Sequence, residues 1–268
     1  MPYISPLLTN ITEITKKSAS ALDRDFCELE KLQNSVKSIK PFVMSAYSRI
    51  EQTLKTELAK IRPDIPVLTP SDKIVGDSYF AVSPIEGLIN FAHGNPDFAV
   101  CVALVEQGNI VCGVIYNPAR DETFFAAAGK GAFKEGYRNH ERLRVSSVKD
   151  LSSALIASTS SFNQKSGALS KLHARILETT GNLRISGCVA LDLAYLAGGK
   201  YDALICENNH VCSVAAGILV LKEAGGAVRS QSQKDIRSED LKAIFESGNL
   251  TATNFNLSQK IFEIFKGM

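Results

Sequence analysis

The run Ala99-Val100-Cys101-Val102-Ala103-Leu104-Val105 constrains the fold of this chain more than any other stretch. Its residue types suit a strand, but no polar residue interrupts it as on a half-solvated sheet face. Both of its faces are therefore expected to be buried between helical layers. Ile110 to Asn117 repeats the pattern after the turn residues Gln107-Gly108-Asn109, and Glu122 to Ala128 is a third strand candidate. Ahead of them, Tyr79-Phe80-Ala81-Val82 reads as a short buried strand. Pro84 is expected to stop its pairing, and Gly87 to turn the chain into a short helical segment. A strand, turn and helix start of this kind expose backbone N–H groups to an anion.

The flanking regions are helical, then alternating. Ser5-Pro6 is an N-cap followed by Pro at the first helical position. Leu7, Leu8, Ile11, Ile14, Leu22, Phe26 and Leu29 recur near helical spacing, which predicts one long helix from residue 6 to about residue 30. A second helix is expected from about Ser45 to Arg62, ending before Pro63, with Gln33 to Pro41 as a hairpin or loop. Beyond the strands, Ala154 to Ser158, Leu183 to Ser186, Tyr201 to Cys206, Ala227-Val228 and Ala243-Ile244-Phe245 read as strands. Helices are expected over 163–178, Val189 to Leu196, Ser213 to Ala224 and Leu257 to Phe265. Such alternation indicates an α/β layered fold. The change of pattern divides the chain into an N-terminal α+β domain, 1–145, and a C-terminal α/β domain, 146–268.

Composition narrows the classes. A length of 268 residues with 45% hydrophobic and 22% charged residues suits a soluble globular chain, and a net charge of +2 favours neither nucleic acid nor an anionic membrane. No apolar run reaches the roughly 18–20 residues needed to span a bilayer, and the N-terminus lacks the pattern of a signal peptide. The six cysteines include no Cys-x-x-Cys pair and read as reduced thiols in a cytoplasmic protein. Cys206, His210 and Cys212 have no fourth ligand nearby, so they make a poor zinc site. His93, His140, His173 and His210 read as surface or structural residues. The charged stretch from Lys130 to Lys149 reads as a solvated hairpin and loop. The alternative there is binding of RNA or an acidic partner, and the stretch lacks the aromatic interleaving of a base-stacking surface.

The segment Ser83-Pro84-Ile85-Glu86-Gly87-Leu88, with Asn90-Phe91-Ala92-His93 behind it, resembles the inositol monophosphatase family signature, Asp-Pro-Ile-Asp-Gly-Thr followed by Asn-Phe. Similar strings extend along nearly the whole chain, among them Gly113-Val114-Ile115-Tyr116-Asn117-Pro118, Leu191-Asp192-Leu193-Ala194-Tyr195 and Glu223-Ala224-Gly225-Gly226. The segments Arg24-Asp25-Phe26, Glu30-Lys31-Leu32-Gln33 and Arg62-Pro63-Asp64 are most like the bacterial SuhB-type branch. The resemblance implies a layered α/β/α/β/α sandwich, a homodimer, magnesium as cofactor and a phosphorylated small molecule as substrate. It also implies, for the SuhB-type branch, a protein partner in the transcription machinery.

By the same resemblance, the substitutions fall on the chemistry. The family's metal carboxylates fall on Pro70, Ser83 and Ser213. Glu86 stays acidic, one methylene longer than the family Asp, and the Ile85 carbonyl remains as a ligand. The catalytic positions are Leu88, in place of Thr, and Pro41, in place of a loop Asp. Substrate-binding positions are Gly87, Leu88, Gly187, Cys188, Val189, Cys206 and Glu207. Magnesium demands near-octahedral oxygen coordination, usually by carboxylates and substrate phosphate, and Pro offers no side-chain oxygen. The implied reading is an inactive or very weak phosphatase kept for binding or regulation. The alternative is an active Mg-dependent inositol or sugar phosphate monoesterase whose ligands are rearranged to Glu86, Asp72, Asp77 or Glu207. A third reading is phosphate sensing at the Gly87 turn. Glu86 is either a residual ligand or a solvated or Arg-paired carboxylate.

Overall fold

The computed structural model describes residues 5–32, 39–159, 168–231 and 240–266. Within them the first sheet has seven strands in chain order: β1 (Val67–Leu68), β2 (Tyr79–Glu86), β3 (Ala99–Glu106), β4 (Asn109–Asn117), β5 (Glu122–Ala127), β6 (Gly131–Lys134) and β7 (Glu141–Arg142). All neighbours are antiparallel except β1 and β2. The second sheet contains β8 (Ile156–Ser158), β9 (Leu183–Arg184), β10 (Ala203–Cys206), β11 (Ala227–Ser230) and β12 (Leu250–Thr253), in the order β11-β12-β10-β8-β9.

Strand alternation sets the layers. Val100, Val102 and Leu104 face a core shared with α1 (Pro6–Ser18), α2 (Leu22–Leu32) and α3 (Ile39–Ile61), which supply Ile11, Leu29, Ile50 and Leu54. Cys101, Ala103 and Val105 face the other way, into a core built around α6 (Val189–Ala197) and α7 (Val211–Glu223). Both faces of β3 are buried, as its unbroken apolar run requires. Leu204 and Cys206 of β10 reach the same middle core, while Ala203 and Ile205 turn outward to α5 (Ala168–Thr180) and α9 (Ser258–Lys266). The result is an α/β/α/β/α sandwich, as expected. Every residue of α6 is buried, which suits a helix apolar on all sides and held between two sheets. Gly217 permits the close contact of α6 with α7, since a Cβ there would lie 2.6 Å from Leu193.

Several elements differ from the sequence reading. The long first helix is two, broken at Ala19–Ala21. Thr12, Thr15 and Ser18 hydroxyls donate back to the carbonyls of Leu8, Ile11 and Ile14, a pattern that weakens and bends a helix before such a break. The helix expected from Ser45 begins at Ile39, and Pro41 lies in its first turn, where its missing N–H costs nothing. Positions 33–38 of the expected hairpin and 160–167 of the expected helix 163–178 lie outside the described residues. Pro84 does not stop β2. The register shifts between Ser83 and Glu86, and this bulge accommodates it. Ala243-Ile244-Phe245 is helical, in α8 (Leu241–Ser247), because the Asp240 side chain caps the Ala243 amide at 3.0 Å and Gly248 ends the helix with φ 69°. The strand on this stretch is β12, which follows it.

Candidate functional site

The end of β2 delivers Glu86 to the site, and Gly87, with φ 80°, turns the chain into α4 (Leu88–Ala92). Only glycine fits there, because a Cβ would also lie 2.8 Å from the Asp97 carbonyl oxygen. Asn90 fixes the turn. Its Nδ2 donates to the carbonyls of Asp97 at 2.7 Å and Ser186 at 2.8 Å. Ser186 leads through Gly187 to Cys188, the N-cap of α6. Between α4 and the start of α6 lies a cleft of about 480 Å³, with Thr159 and Asn209 on its other wall.

Of the positions expected to bind substrate, Gly87, Leu88, Gly187 and Val189 line this cleft beside Glu86. Cys188 and Cys206 are fully buried beneath it. Glu207 is held just behind the far wall, its amide donating to Thr159 Oγ1 at 3.1 Å and its carbonyl accepting from Asn209 at 2.8 Å. Glu86 is half-buried, and among the described residues it forms no ion pair with arginine. Burial pushes its pKa up to about 7, opposed in part by hydrogen bonds from the Cys188 thiol and the Val189 amide. Its Oε2 is buried without a hydrogen-bond partner among the described residues. Ile85 is buried at the β2 bulge.

The other expected positions lie outside the cleft lining. Ser83 is 2% exposed and pairs with Cys101 in the sheet, Ser213 is half-buried in the first turn of α7, and Pro70 is exposed after β1. Pro41 is exposed on α3. Asp72 is committed elsewhere. Its Oδ2 accepts from the Thr69 amide and hydroxyl, both at 2.9 Å, and pairs with Lys55 at 3.4 Å. The Thr69 amide, then its hydroxyl and Lys55, hold its carboxyl below the usual range. Asp77 precedes β2 at the end opposite Glu86, roughly 25–30 Å away at about 3.3 Å per strand residue. It therefore cannot share an ion with Glu86. Among the described residues, no three His, Cys, Asp or Glu side chains are grouped so as to hold a metal ion. Cys206, His210 and Cys212 are engaged with Asn209, the Cys212 amide and the Leu68 carbonyl, respectively.

Asp192 was not singled out from the sequence. It stands in the first turn of α6, 1% exposed, with both oxygens lacking a hydrogen-bond partner among the described residues. Burial raises its pKa to about 7. The Ser186 hydroxyl opposes the shift, while Glu86 and Asp97 add to it. A lone carboxylate inside the apolar run Val189–Ala197 was the available signal, because such groups are rarely buried without a purpose. Asn90 was visible in the signature, but its reach to Ser186 was not.

Comparison with known proteins supplies a context. Residues 4–265 match the model of the inositol monophosphatase family. An inositol-1-monophosphatase of Caulobacter vibrioides is 34% identical over 259 residues, covering 94% of this chain and 97% of that protein. A relative in Xylella fastidiosa named Nus factor SuhB is 30% identical over 263 residues, covering 97% of this chain and 94% of that protein. The crystal structure of the extragenic suppressor protein SuhB from Bartonella henselae superposes with a TM-score of 0.83 at 32% identity, covering 98% of this chain and 99% of that one.

Proposed function

The chain belongs to the inositol monophosphatase family, SuhB-type branch, and we propose that within it this protein acts by binding rather than by hydrolysing phosphate esters. One observation carries the reading: Glu86 is the sole carboxylate lining the cleft among the described residues. Two or three magnesium ions need several carboxylates to offset their charge, and the hydroxyls of Ser83 and Ser213 are neutral. The donor set among the described residues does not fit a multi-metal magnesium site. Relatives named Nus factor SuhB support a protein partner in the transcription machinery, and we place the chain in the cytoplasm as a homodimer on the same family grounds. No helix among the described residues is long and apolar enough to cross a membrane.

A second reading rests on Glu207, whose Oε2 is buried without a hydrogen-bond partner near the cleft, and on relatives named inositol-1-monophosphatase. It makes the protein a Mg-dependent inositol or sugar phosphate monoesterase with Glu86 and Glu207 as rearranged ligands. Phosphate release from inositol 1-phosphate and an aryl phosphate, across Mg²⁺ and Mn²⁺ titrations, separates the two. The binding reading expects release no faster than a Glu86→Ala control. Metal-dependent release that the control lacks establishes the esterase instead.

A further inference from the structure

The charged stretch after β5 holds two arginines that the fold leaves without an anion. Leu143 enters the middle core and Val145 packs against it, so Arg142 and Arg144 share the opposite face of the chain. Both are exposed, and among the described residues neither forms an ion pair. Glu141 alternates to the other face, with Leu143. The Arg142 guanidinium lies over Gly131, 3.3 Å from where a Cβ would stand. β7 is also the last strand of its sheet among the described residues. The Leu143 amide donates to the Ala132 carbonyl at 2.9 Å, and bonded pairs alternate with open ones in an antiparallel ladder. Arg142, opposite Phe133, is therefore an open position whose N–H and C=O point away from β6. Nearby, α1 and β5 enclose a cavity of about 430 Å³, lined by Thr9, Thr12, Phe125 and His140. The Phe125 ring links the two features, 5.1 Å from His140 and 5.9 Å from Phe133, the partner of Arg142. Of the carboxylates at the cavity, Glu135 is paired with Lys16 at 2.5 Å and Glu13 stands on α1.

We propose that this sheet edge docks an extended acidic segment of a partner protein. Its backbone takes the open N–H and C=O of Arg142, as an added strand does at an exposed edge. Arg142 and Arg144 stand two residues apart, or about 6.6 Å, the spacing of alternate side chains on such a segment. Two carboxylates at that spacing each meet a guanidinium in a charge-assisted hydrogen bond. An apolar side chain next in the same row enters the cavity beside Phe125. An RNA strand also answers the arginines, but it leaves the open N–H and C=O and the apolar cavity unused. The inference rests on the binding reading above and specifies the surface and the chemistry of its protein partner.

NMR titration of the full ¹⁵N-labelled chain tests it, with the capped peptide Asp-Thr-Asp-Thr-Phe and its reverse as probes. One of the two orders should bind and shift the Glu141 and Arg142 amides. Asp-Asp-Thr-Thr-Phe, which puts its acids on opposite faces, should bind about fivefold more weakly, and Lys-Thr-Lys-Thr-Phe should not bind. The double variant Arg142→Gln, Arg144→Gln alters exposed residues and should leave the fold intact, weakening the peptide about tenfold. The corresponding double Lys variant should retain most of the affinity. Thr9→Phe, at the exposed rim of the cavity, should weaken the peptide about fivefold. Absence of peptide binding overturns the proposal, as does an affinity unchanged by the double Gln variant. Tighter binding of an oligouridine than of either peptide also overturns it. The same preparation is assayed for Mg²⁺-dependent phosphate release. Release refutes the binding reading whatever the peptides do, whereas no release and no peptide binding refutes the docking surface alone.

Discussion

Asn90 joins the two sides of the cleft: its Nδ2 donates at 2.8 Å to the carbonyl of Ser186, two residues before the α6 N-cap. The same amide group holds the Asp97 carbonyl, so one side chain fixes both the α4 turn and the entry to α6. Asn90→Ala leaves two half-buried carbonyls without their donor. The loss should cost about 2–3 kcal/mol of unfolding free energy in urea denaturation. Asn90→Asp should cost more, because it turns an acceptor toward two acceptors.

The contact of α6 with α7 allows no added volume. Gly217→Ala places a Cβ about where Leu193 already stands, at 2.6 Å. Overpacking of this kind should destabilise the chain by about 1–3 kcal/mol, measured as a lower denaturant midpoint with an unchanged m-value. The paired variant Gly217→Ala, Leu193→Ala should not recover the loss, because the Cβ of residue 193, itself at 2.6 Å, remains.

Much of this architecture was legible along the chain. The unbroken apolar run of β3 already required two covered faces, and the turn residues before β4 and the Gly87 turn lie where expected. The errors have local causes. Ala243-Ile244-Phe245 carries strand-forming residues, but the Asp240 cap and Gly248 stop decide for a helix. Pro84 remains in a strand because the bulge removes the need for its missing donor. The site was less legible, since its electrostatics arise from groups distant in sequence. Nothing local to Glu86 indicates that the Val189 amide meets it, or that its charge acts on Asp192.

Acidity should affect stability in an unusual direction. Glu86 and Asp192 have folded-state pKa values raised from 4.5 and 3.8 to about 7. Their protonated forms are favoured by folding, so their contribution is full below about pH 4 and is lost as pH rises to about 7. Each contributes a slope of up to about 1.4 kcal/mol per pH unit in that window. Asp72 acts oppositely: its carboxyl is lowered by the Thr69 amide first, so its stabilisation is lost as pH falls below the ordinary carboxylate range. Thermal unfolding across pH 4 to 8 should show stability decreasing toward neutral pH. Asp192→Asn should flatten that decrease, and an equally steep profile in the variant would refute the assignment.

Restoring the family's carboxylates separates a lost metal site from one that is merely rearranged. Ser83 is 2% exposed, so Ser83→Asp alone buries an unpaired charge and should cost about 3 kcal/mol or more. Ser213→Asp adds a second, half-buried carboxylate, while Glu86→Asp keeps its charge on a shorter arm, and the metal-free triple variant should be less stable still. Magnesium reverses the sign, because an ion that binds only the folded state stabilises it by about 2.7 kcal/mol at a hundred times its Kd. The triple variant should therefore gain several degrees in Tm with millimolar Mg²⁺, while the parent chain gains none. A parent that is stabilised by Mg²⁺ as strongly as the triple variant already holds the ion, and Glu207 then becomes the ligand to substitute first.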